Sequence, residues 1–149
     1  MPIGDICVRE VAVADRSTTV QDAALLMRRL HVGNLVVVHS MDGCRKPVGI
    51  ITDRDIVVSV VATKLDASVF TVGDLVTQDL VTCHEEEGIF ECIQHMRMRG
   101  VRRMPVLNPE GELVGIIAVD DLVQLLAEEL NELGKLVGRE QAREAHSKR

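Results

Sequence analysis

Two residues with side chains suited to ligand chemistry, Thr52 and Asp55, stand three positions apart in the segment Gly49-Ile50-Ile51-Thr52-Asp53-Arg54-Asp55. The apolar residues before Thr52 are typical of a buried strand, and the polar residues after it are typical of a helix start. A carboxylate can accept charge-assisted hydrogen bonds from two vicinal hydroxyls, and a helix N-terminus attracts an anion. Gly49 lacks a Cβ, which lets a ligand approach the backbone closely. The segment is therefore a candidate site for a small anionic ligand.

The same spacing also fits a purely structural role. Thr52 and Asp55 match a capping box, in which the two side chains satisfy backbone N–H groups of the first helical turn. The local sequence supports both interpretations equally, and they do not exclude each other.

A second copy of this segment ends at Asp121. It reads Val114-Gly115-Ile116-Ile117-Ala118-Val119-Asp120-Asp121, so Ala118 replaces the hydroxyl residue while the final Asp is kept. We expect the second site, built from Ile117, Ala118 and Asp121, to bind more weakly, to stay empty or to suit a ligand without a phosphate at that point.

Four arginines cluster just before a predicted buried strand. Arg97 and Arg99 suit the C-terminal end of a helix, where the helix dipole favours cations. Arg102 and Arg103 open the strand itself, where an unpaired charge is costly. These two residues are therefore candidate anion ligands, and the matching position in the first copy is Asn34.

The composition narrows the functional class. The net charge is −6, and Phe70 and Phe90 are the only aromatic residues, which argues against a nucleic-acid partner. No run of eighteen apolar residues predicts a membrane span, no signal peptide is visible, and we expect a cytoplasmic location. The four cysteines form no CxxC pair and the histidines show no zinc spacing, so no metal site is predicted. No catalytic triad or carboxylate pair can be assembled, and we expect no enzymatic activity.

An internal repeat organises the chain. Apolar stripes of helical period begin at Val20 and again at Ile89, sixty-nine positions later. Each stripe is followed by an apolar strand, at 34–38 and 103–107, although Pro105 suggests an edge position or a missing ladder bond. The offset then falls to sixty-six, and we expect the three extra residues of the first copy in a polar turn at 41–46. A strand before each helix is predicted at 11–13 and 80–83.

These elements predict an α/β (α+β) protein built from two βαββα units. We expect a first domain at 1–64, a second at 65–130 and a charged, helical C-terminal tail at 131–149. Because one unit alone leaves a sheet face uncovered, the two should pack with pseudo-twofold symmetry.

The pattern resembles a pair of CBS (cystathionine-β-synthase) domains, from about Ile6 to Leu130, and the segment 49–55 fits the family motif G-h-h-[ST]-x-x-[DN] at every position. The resemblance implies that Asp55 binds both ribose hydroxyls, that Thr52 donates to a phosphate and that Ile50 or Ile51 lines the adenine slot. It also implies a phosphate contact for Arg103, with Arg102 and Arg54 as further candidates.

The implied function is regulatory: binding of AMP, ADP or ATP by a homodimer that acts on an effector protein. NAD or S-adenosylmethionine are alternative ligands, and a scaffold with a decayed site is another possibility. A redox or enzymatic role would rest only on Cys83-His84 and the scattered thiols.

Overall fold

The repeat folds as two successive sets of strands and helices in a computed structural model that describes residues 1–76 and 79–148. The first set comprises β1 (Val13–Asp15), α1 (Val20–Leu30), β2 (Asn34–Met41), β3 (Cys44–Thr52) and α2 (Asp53–Ile56), which runs into a π-helical turn at Val57–Val61. The second comprises α3 (Val72–Leu75), β4 (Cys83–His84), α4 (Ile89–Arg99), β5 (Arg103–Leu107), β6 (Leu113–Ala118) and α5 (Val119–Ser147).

The strands form two three-stranded sheets, ordered β1-β2-β3 and β4-β5-β6. In the first sheet β1 is parallel to β2 and β2 is antiparallel to β3, and in the second β4 is parallel to β5. The predicted mixed α and β architecture is thus confirmed. The middle strands β2 and β5 hold the continuous apolar runs, and residues 35–38 and 104–106 are buried, as expected for strands covered on both faces.

The two long helices of the repeat bury the predicted stripes. Val20, Ala23 and Met27 of α1 are buried, as are Cys92 and Met96 of α4. The helices also end alike, because the chain turns left-handed at His31 (φ 55°) and at the equivalent Gly100 (φ 66°).

The extra residues of the first hairpin lie in its strands and not in its turn. The turn consists of Asp42 and Gly43 alone, both with positive φ, because β2 continues to Met41 and β3 starts at Cys44. Two positive φ values are typical of the tight type I′ hairpin turn. A bulge at Val37/Val38 accounts for the rest of the three-residue difference in length between the two hairpins. The turn expected at 41–46 thus lies within that range but is limited to Asp42 and Gly43, and the flanking residues belong to the strands.

Pro105 lies in the central strand of its sheet, so an edge position was the wrong reading of this residue. The other interpretation, that Pro105 leaves one hydrogen bond of the β-ladder unmade, agrees with the structure. In the first repeat the equivalent Val36 N–H donates to the Ala12 carbonyl at 2.9 Å. Proline has no N–H to donate, so the corresponding bond to Val81 cannot form. Accordingly β4 starts at Cys83, one position later than β1 does, and the predicted strand at 80–83 shrinks to its last residue.

The chain leading into each repeat packs on the other repeat. Ile3 N–H donates to Glu87 and Gly4 N–H to Glu85, each at 2.8 Å. Sixty-nine positions later, Val72 N–H donates to Thr18 at 2.8 Å and Gly73 N–H to Arg16 at 2.9 Å. This exchange of equivalent segments is the expected pseudo-twofold relationship, and it joins both repeats into one compact unit, Met1–Ile117.

Ala118–Arg149 forms a second unit, in which the described part consists of the helix α5 and its flanking residues. Within the described ranges, no helix combines the length and the hydropathy needed to cross a membrane.

Candidate functional site

A cavity of about 270 Å³ lies within the unit Met1–Ile117 and is lined by both repeats and by the chain that links them. The first repeat contributes Gly49, Ile50, Asp55 and Ser59, and the second contributes Val101 and Arg103. The linking chain contributes Leu75, Val76, Asp79, Leu80 and Val81. The cavity is slightly smaller than the range of about 300–1,000 Å³ that is typical of ligand pockets.

Asp55 serves as a helix cap and faces this cavity at the same time. Its backbone N–H donates to Thr52 Oγ1 at 3.2 Å, and its Oδ2 accepts from the Thr52 backbone N–H at 2.9 Å. The capping box expected from the sequence is therefore formed. Oδ1 accepts no hydrogen bond from residues 1–76 or 79–148, so it is open to a ligand.

Arg103 reaches the same cavity from the opposite repeat. It is half-buried at the start of β5, and its guanidinium forms no hydrogen bond or ion pair with the described part of the chain. A half-buried cation without a protein partner is costly, and an anionic ligand would relieve that cost. The charged groups that line the cavity are thus Arg103 together with the carboxylates of Asp55 and Asp79.

The structure brings together Gly49, Ile50, Asp55 and Arg103, and it places the other predicted site residues elsewhere. Ile51 is only 1% exposed and belongs to the core under the first sheet, so of the two isoleucines Ile50 faces the cavity. The remaining candidates of the unit Met1–Ile117 lie outside the lining: Asn34 pairs with Thr52 in the β2–β3 ladder, Arg54 and Arg102 are exposed, and Ile117 is fully buried.

Gly49 is required for packing of the protein itself. A Cβ at this position would come within 2.1 Å of Val76 Cγ1. The space that the sequence argument assigned to a close ligand is therefore filled by a side chain of the linking segment. Gly49 nevertheless lines the cavity.

The second copy of the motif lacks a side-chain cap of its helix. Asp121 Oδ2 accepts from the Ala118 backbone N–H at 2.9 Å, as Asp55 does from Thr52, but Ala118 has no hydroxyl to return a bond. Both residues belong to the unit Ala118–Arg149.

Sequence reasoning missed the linking chain and Ser59. The signal for the former was present in the repeat: the linker at 72–76 is equivalent to residues 3–7, so each segment that enters one repeat can border a cleft of the other. Val81 is the most informative of these residues. It lines the cavity, and its carbonyl lacks the ladder bond that the equivalent Ala12 carbonyl accepts from Val36, because Pro105 has no N–H.

The pKa shifts of three of the four thiols favour the neutral form, whereas the hydrogen bond with Cys83 lowers the pKa of Cys92. The hydrogen bond with Cys92, followed by burial, raises the pKa of the Cys83 thiol, and burial raises that of Cys7. A hydrogen bond to Glu112 raises the pKa of Cys44. Because the thiolate is the reactive form, these cysteines are poor nucleophiles. In residues 1–76 and 79–148, no cluster of three or more His, Cys, Asp or Glu residues could hold a metal ion.

The comparisons with known proteins agree with this architecture. The CBS domain family model matches residues 3–62 and 72–128, and the chain belongs to this family as a pair of CBS domains. Hypoxic response protein 1 of Mycobacterium tuberculosis is 32% identical, over 83% of this chain and 84% of that protein. An uncharacterized protein of Methanopyrus kandleri, MK0525, is 30% identical over 83% of this chain, which spans 61% of that relative's length.

Solved structures show the same fold. Hypoxic Response Protein I, crystallised with two coordinated zinc ions, superposes with a TM-score of 0.72 at 30% identity and covers 83% of this chain and 98% of its own. The CBS domain protein PAE2072 from Pyrobaculum aerophilum, solved in complex with AMP, gives a TM-score of 0.73 at 22% identity, covering 86% of this chain and 99% of its own.

Proposed function

We propose that this CBS-domain pair binds an adenine nucleotide, AMP, ADP or ATP, and regulates a partner protein according to its occupancy. The observation that carries the proposal is that Asp55 and Arg103, from different repeats, line one cavity. One carboxylate and one guanidinium are the groups that recognise the ribose hydroxyls and the phosphate of a nucleotide. Ile50, Leu80 and Val101 supply the apolar surface for a base.

The energetics favour such a ligand over an uncharged one. A hydrogen bond to a charged group contributes about 1.5–3 kcal/mol, and Asp55 Oδ1 can accept from both ribose hydroxyls. Arg103 gains a partner that residues 1–76 and 79–148 do not provide. The proposal is also consistent with the AMP complex of PAE2072.

The Val81 carbonyl, which receives no ladder bond from Pro105, supports adenine as the base. A backbone carbonyl can only accept a hydrogen bond. An adenine ring carries an exocyclic amino group that can donate to it, whereas a 6-oxo purine presents an acceptor at the equivalent position. NAD and S-adenosylmethionine share the same base and ribose, and they are the alternative ligands.

The regulatory role follows from the position of the cavity. A ligand that contacts both repeats and the segment between them binds more tightly to one arrangement of these parts, and so shifts the population towards it. We propose that the chain is a homodimer, that it has no catalytic activity of its own, and that an effector protein reads the bound state.

Isothermal titration of the full chain with adenosine, AMP, ADP, ATP, NAD and S-adenosylmethionine tests the proposal. Arg103→Gln should weaken binding of the phosphate-bearing ligands but leave adenosine unaffected. Arg54→Gln is the matched control, because Arg54 is an exposed arginine outside the cavity lining. Absence of binding by every ligand would refute the proposal, and nucleotide hydrolysis would contradict a purely regulatory role.

A further inference from the structure

Ser59 lines the cavity but lies outside the family motif. It follows Asp55, the last residue of the motif, by four positions. Among the described lining residues it carries the only hydroxyl group. Thr52, the hydroxyl residue of the motif, is not part of this lining, and its Oγ1 accepts from the Asp55 backbone N–H. Ser59 is therefore the hydroxyl residue that faces the cavity.

Asp55 and Ser59 lie on one continuous stretch of helix. The helix α2 ends at Ile56 and runs directly into the π-helical turn Val57–Val61. Residues four apart on a helix share a face, and they are about 6 Å apart along its axis. Both residues accordingly line the same cavity. A π-helical turn within a helix is also frequent at functional sites.

The Ser59 hydroxyl is available to a ligand. A serine within a helix can donate its hydroxyl to the carbonyl four residues earlier, which here belongs to Asp55. Within residues 1–76 and 79–148, however, Ser59 Oγ forms no hydrogen bond with that carbonyl or with any other group. The Ser59 carbonyl is occupied, because it accepts from Thr63 Oγ1 at 2.7 Å. The residue itself is exposed, so a ligand in the cavity can reach its hydroxyl.

We propose that Ser59 donates its hydroxyl to the phosphate of the bound nucleotide. With the ribose hydroxyls on Asp55, the phosphate of the same ribose lies within about one helical turn, where Ser59 stands. Arg103 is the only Lys or Arg in the described lining, and it enters from the second repeat. Serine hydroxyls and guanidinium groups are both common donors to phosphate oxygens. The phosphate is thus held between a neutral donor of the first repeat and a cation of the second.

This inference rests on the proposed nucleotide binding and adds a specific contact to that site. Isothermal titration of the full chain with AMP and with adenosine tests it. Ser59→Ala should weaken AMP binding about tenfold and leave adenosine binding unchanged, because adenosine has no phosphate. Ser59→Thr keeps the hydroxyl and should bind AMP like the unsubstituted chain. Ser147→Ala is the matched control, since it removes a hydroxyl from an exposed position of α5 outside the lining.

A double-mutant cycle with Arg103→Gln tests whether both residues contact the same phosphate. Side chains that share a partner have coupled effects, whereas independent sites have additive free energies. Ser59→Ala combined with Arg103→Gln should therefore lose less AMP affinity than the product of the two single losses. Losses that multiply would show that Ser59 acts independently of Arg103, which contradicts the shared phosphate.

The outcomes separate this inference from the proposed function. If the unsubstituted chain and Ser59→Ala bind AMP equally well, nucleotide binding stands and the Ser59 contact is wrong. If Ser59→Ala weakens adenosine as much as AMP, the hydroxyl serves the ribose or the base, and the phosphate assignment is overturned. If the unsubstituted chain binds no AMP, both proposals are overturned. Circular dichroism checks that Ser59→Ala folds, as expected for alanine at an exposed helical position.

Discussion

Val76 fills the space above Gly49: a Cβ on residue 49 would lie 2.1 Å from Val76 Cγ1. The same relationship recurs in the other repeat, where a Cβ on Gly115 would lie 2.6 Å from Cys7 Sγ. Val76 and Cys7 are equivalent residues of the two exchanged segments. In each repeat, this glycine thus packs against a side chain from the segment that leads into the other repeat.

Gly49→Ala should destabilise the fold because the added methyl group overlaps Val76. Overpacking of this kind costs about 1–3 kcal/mol, and it should appear as a lower midpoint in urea unfolding. Gly138→Ala is the matched control: it also adds a methyl group, but it meets open space in the middle of α5. There we expect no loss, and a gain of about 0.5–1 kcal/mol in helix stability. Equal stability of Gly49→Ala and the unsubstituted chain would contradict the packing role.

Asp55→Asn should separate ligand binding from helix capping. The amide oxygen of asparagine still accepts from the Thr52 N–H, so the stability should change little. Loss of the charge should weaken nucleotide binding about tenfold or more, as measured by isothermal titration. Asp55→Ala should lose the cap as well, at about 0.5–2 kcal/mol in thermal unfolding. A nucleotide affinity unchanged in Asp55→Asn would mean that the carboxylate serves only as a cap.

The sequence predicts those features that depend on neighbouring residues. The stripes of α1 and α4, the strand Arg103–Leu107 and the cap between Thr52 and Asp55 follow from spacing and residue type alone. The features that the sequence does not predict depend on how distant parts of the chain pack together. Ile50 and Ile51 are equivalent by type, and only the bulge and register of β3 decide which of them faces the cavity.

The linking chain was missed for the same reason. Asp79, Leu80 and Val81 carry no motif, and they reach the site only because the two repeats exchange their leading segments. Likewise, proline in a central strand runs against the usual distribution, so the position of Pro105 was fixed by tertiary packing.

The contact between Cys44 and Glu112 should make the stability depend on pH at both extremes. The hydrogen bond from the Cys44 thiol, and then that from Asn108, lowers the pKa of Glu112, while the same contact with Glu112 raises the pKa of Cys44. Because the pKa of Glu112 is lower in the folded chain, its carboxylate stabilises the fold at pH values above the usual glutamate pKa of about 4.3. This stabilisation is lost as the pH falls through the pKa that Glu112 has in the folded chain. Because the pKa of Cys44 is higher in the folded chain, its neutral thiol stabilises the fold at pH values below the usual cysteine pKa of about 8.5. This stabilisation is lost as the pH rises through the pKa that Cys44 has in the folded chain.

Urea unfolding of Cys44→Ala across this pH range checks the expectation. The variant should be less stable than the unsubstituted chain between these limits, and the difference should shrink at the acid and alkaline ends. Cys44→Ser keeps a hydroxyl that can donate to Glu112 but does not ionise in this range. This variant should therefore lose only the change in stability at alkaline pH. A difference that stays constant with pH would show that the thiol contributes only packing.

Pro105→Val should restore the ladder bond that the second repeat lacks. The new N–H lies where the Val36 N–H lies in the first repeat, so it should donate to the Val81 carbonyl as Val36 does to Ala12. Hydrogen exchange should then find the amide of residue 105 protected. A ligand that uses this carbonyl loses its acceptor, and one neutral hydrogen bond of about 0.5–1.5 kcal/mol corresponds to a loss of up to about tenfold in AMP affinity.

A comparison of two nucleotides makes this prediction specific to the base. Inosine monophosphate has the ribose and phosphate of AMP but no 6-amino donor, so Pro105→Val should leave its weaker binding unchanged. Pro109→Val is the matched control, since Pro109 is exposed in the β5–β6 turn. If the amide of residue 105 is protected and AMP still binds as before, the Val81 carbonyl takes no part in recognition. Adenine specificity would then have to arise from the apolar walls alone, which cannot distinguish an amino from an oxo purine by hydrogen bonding.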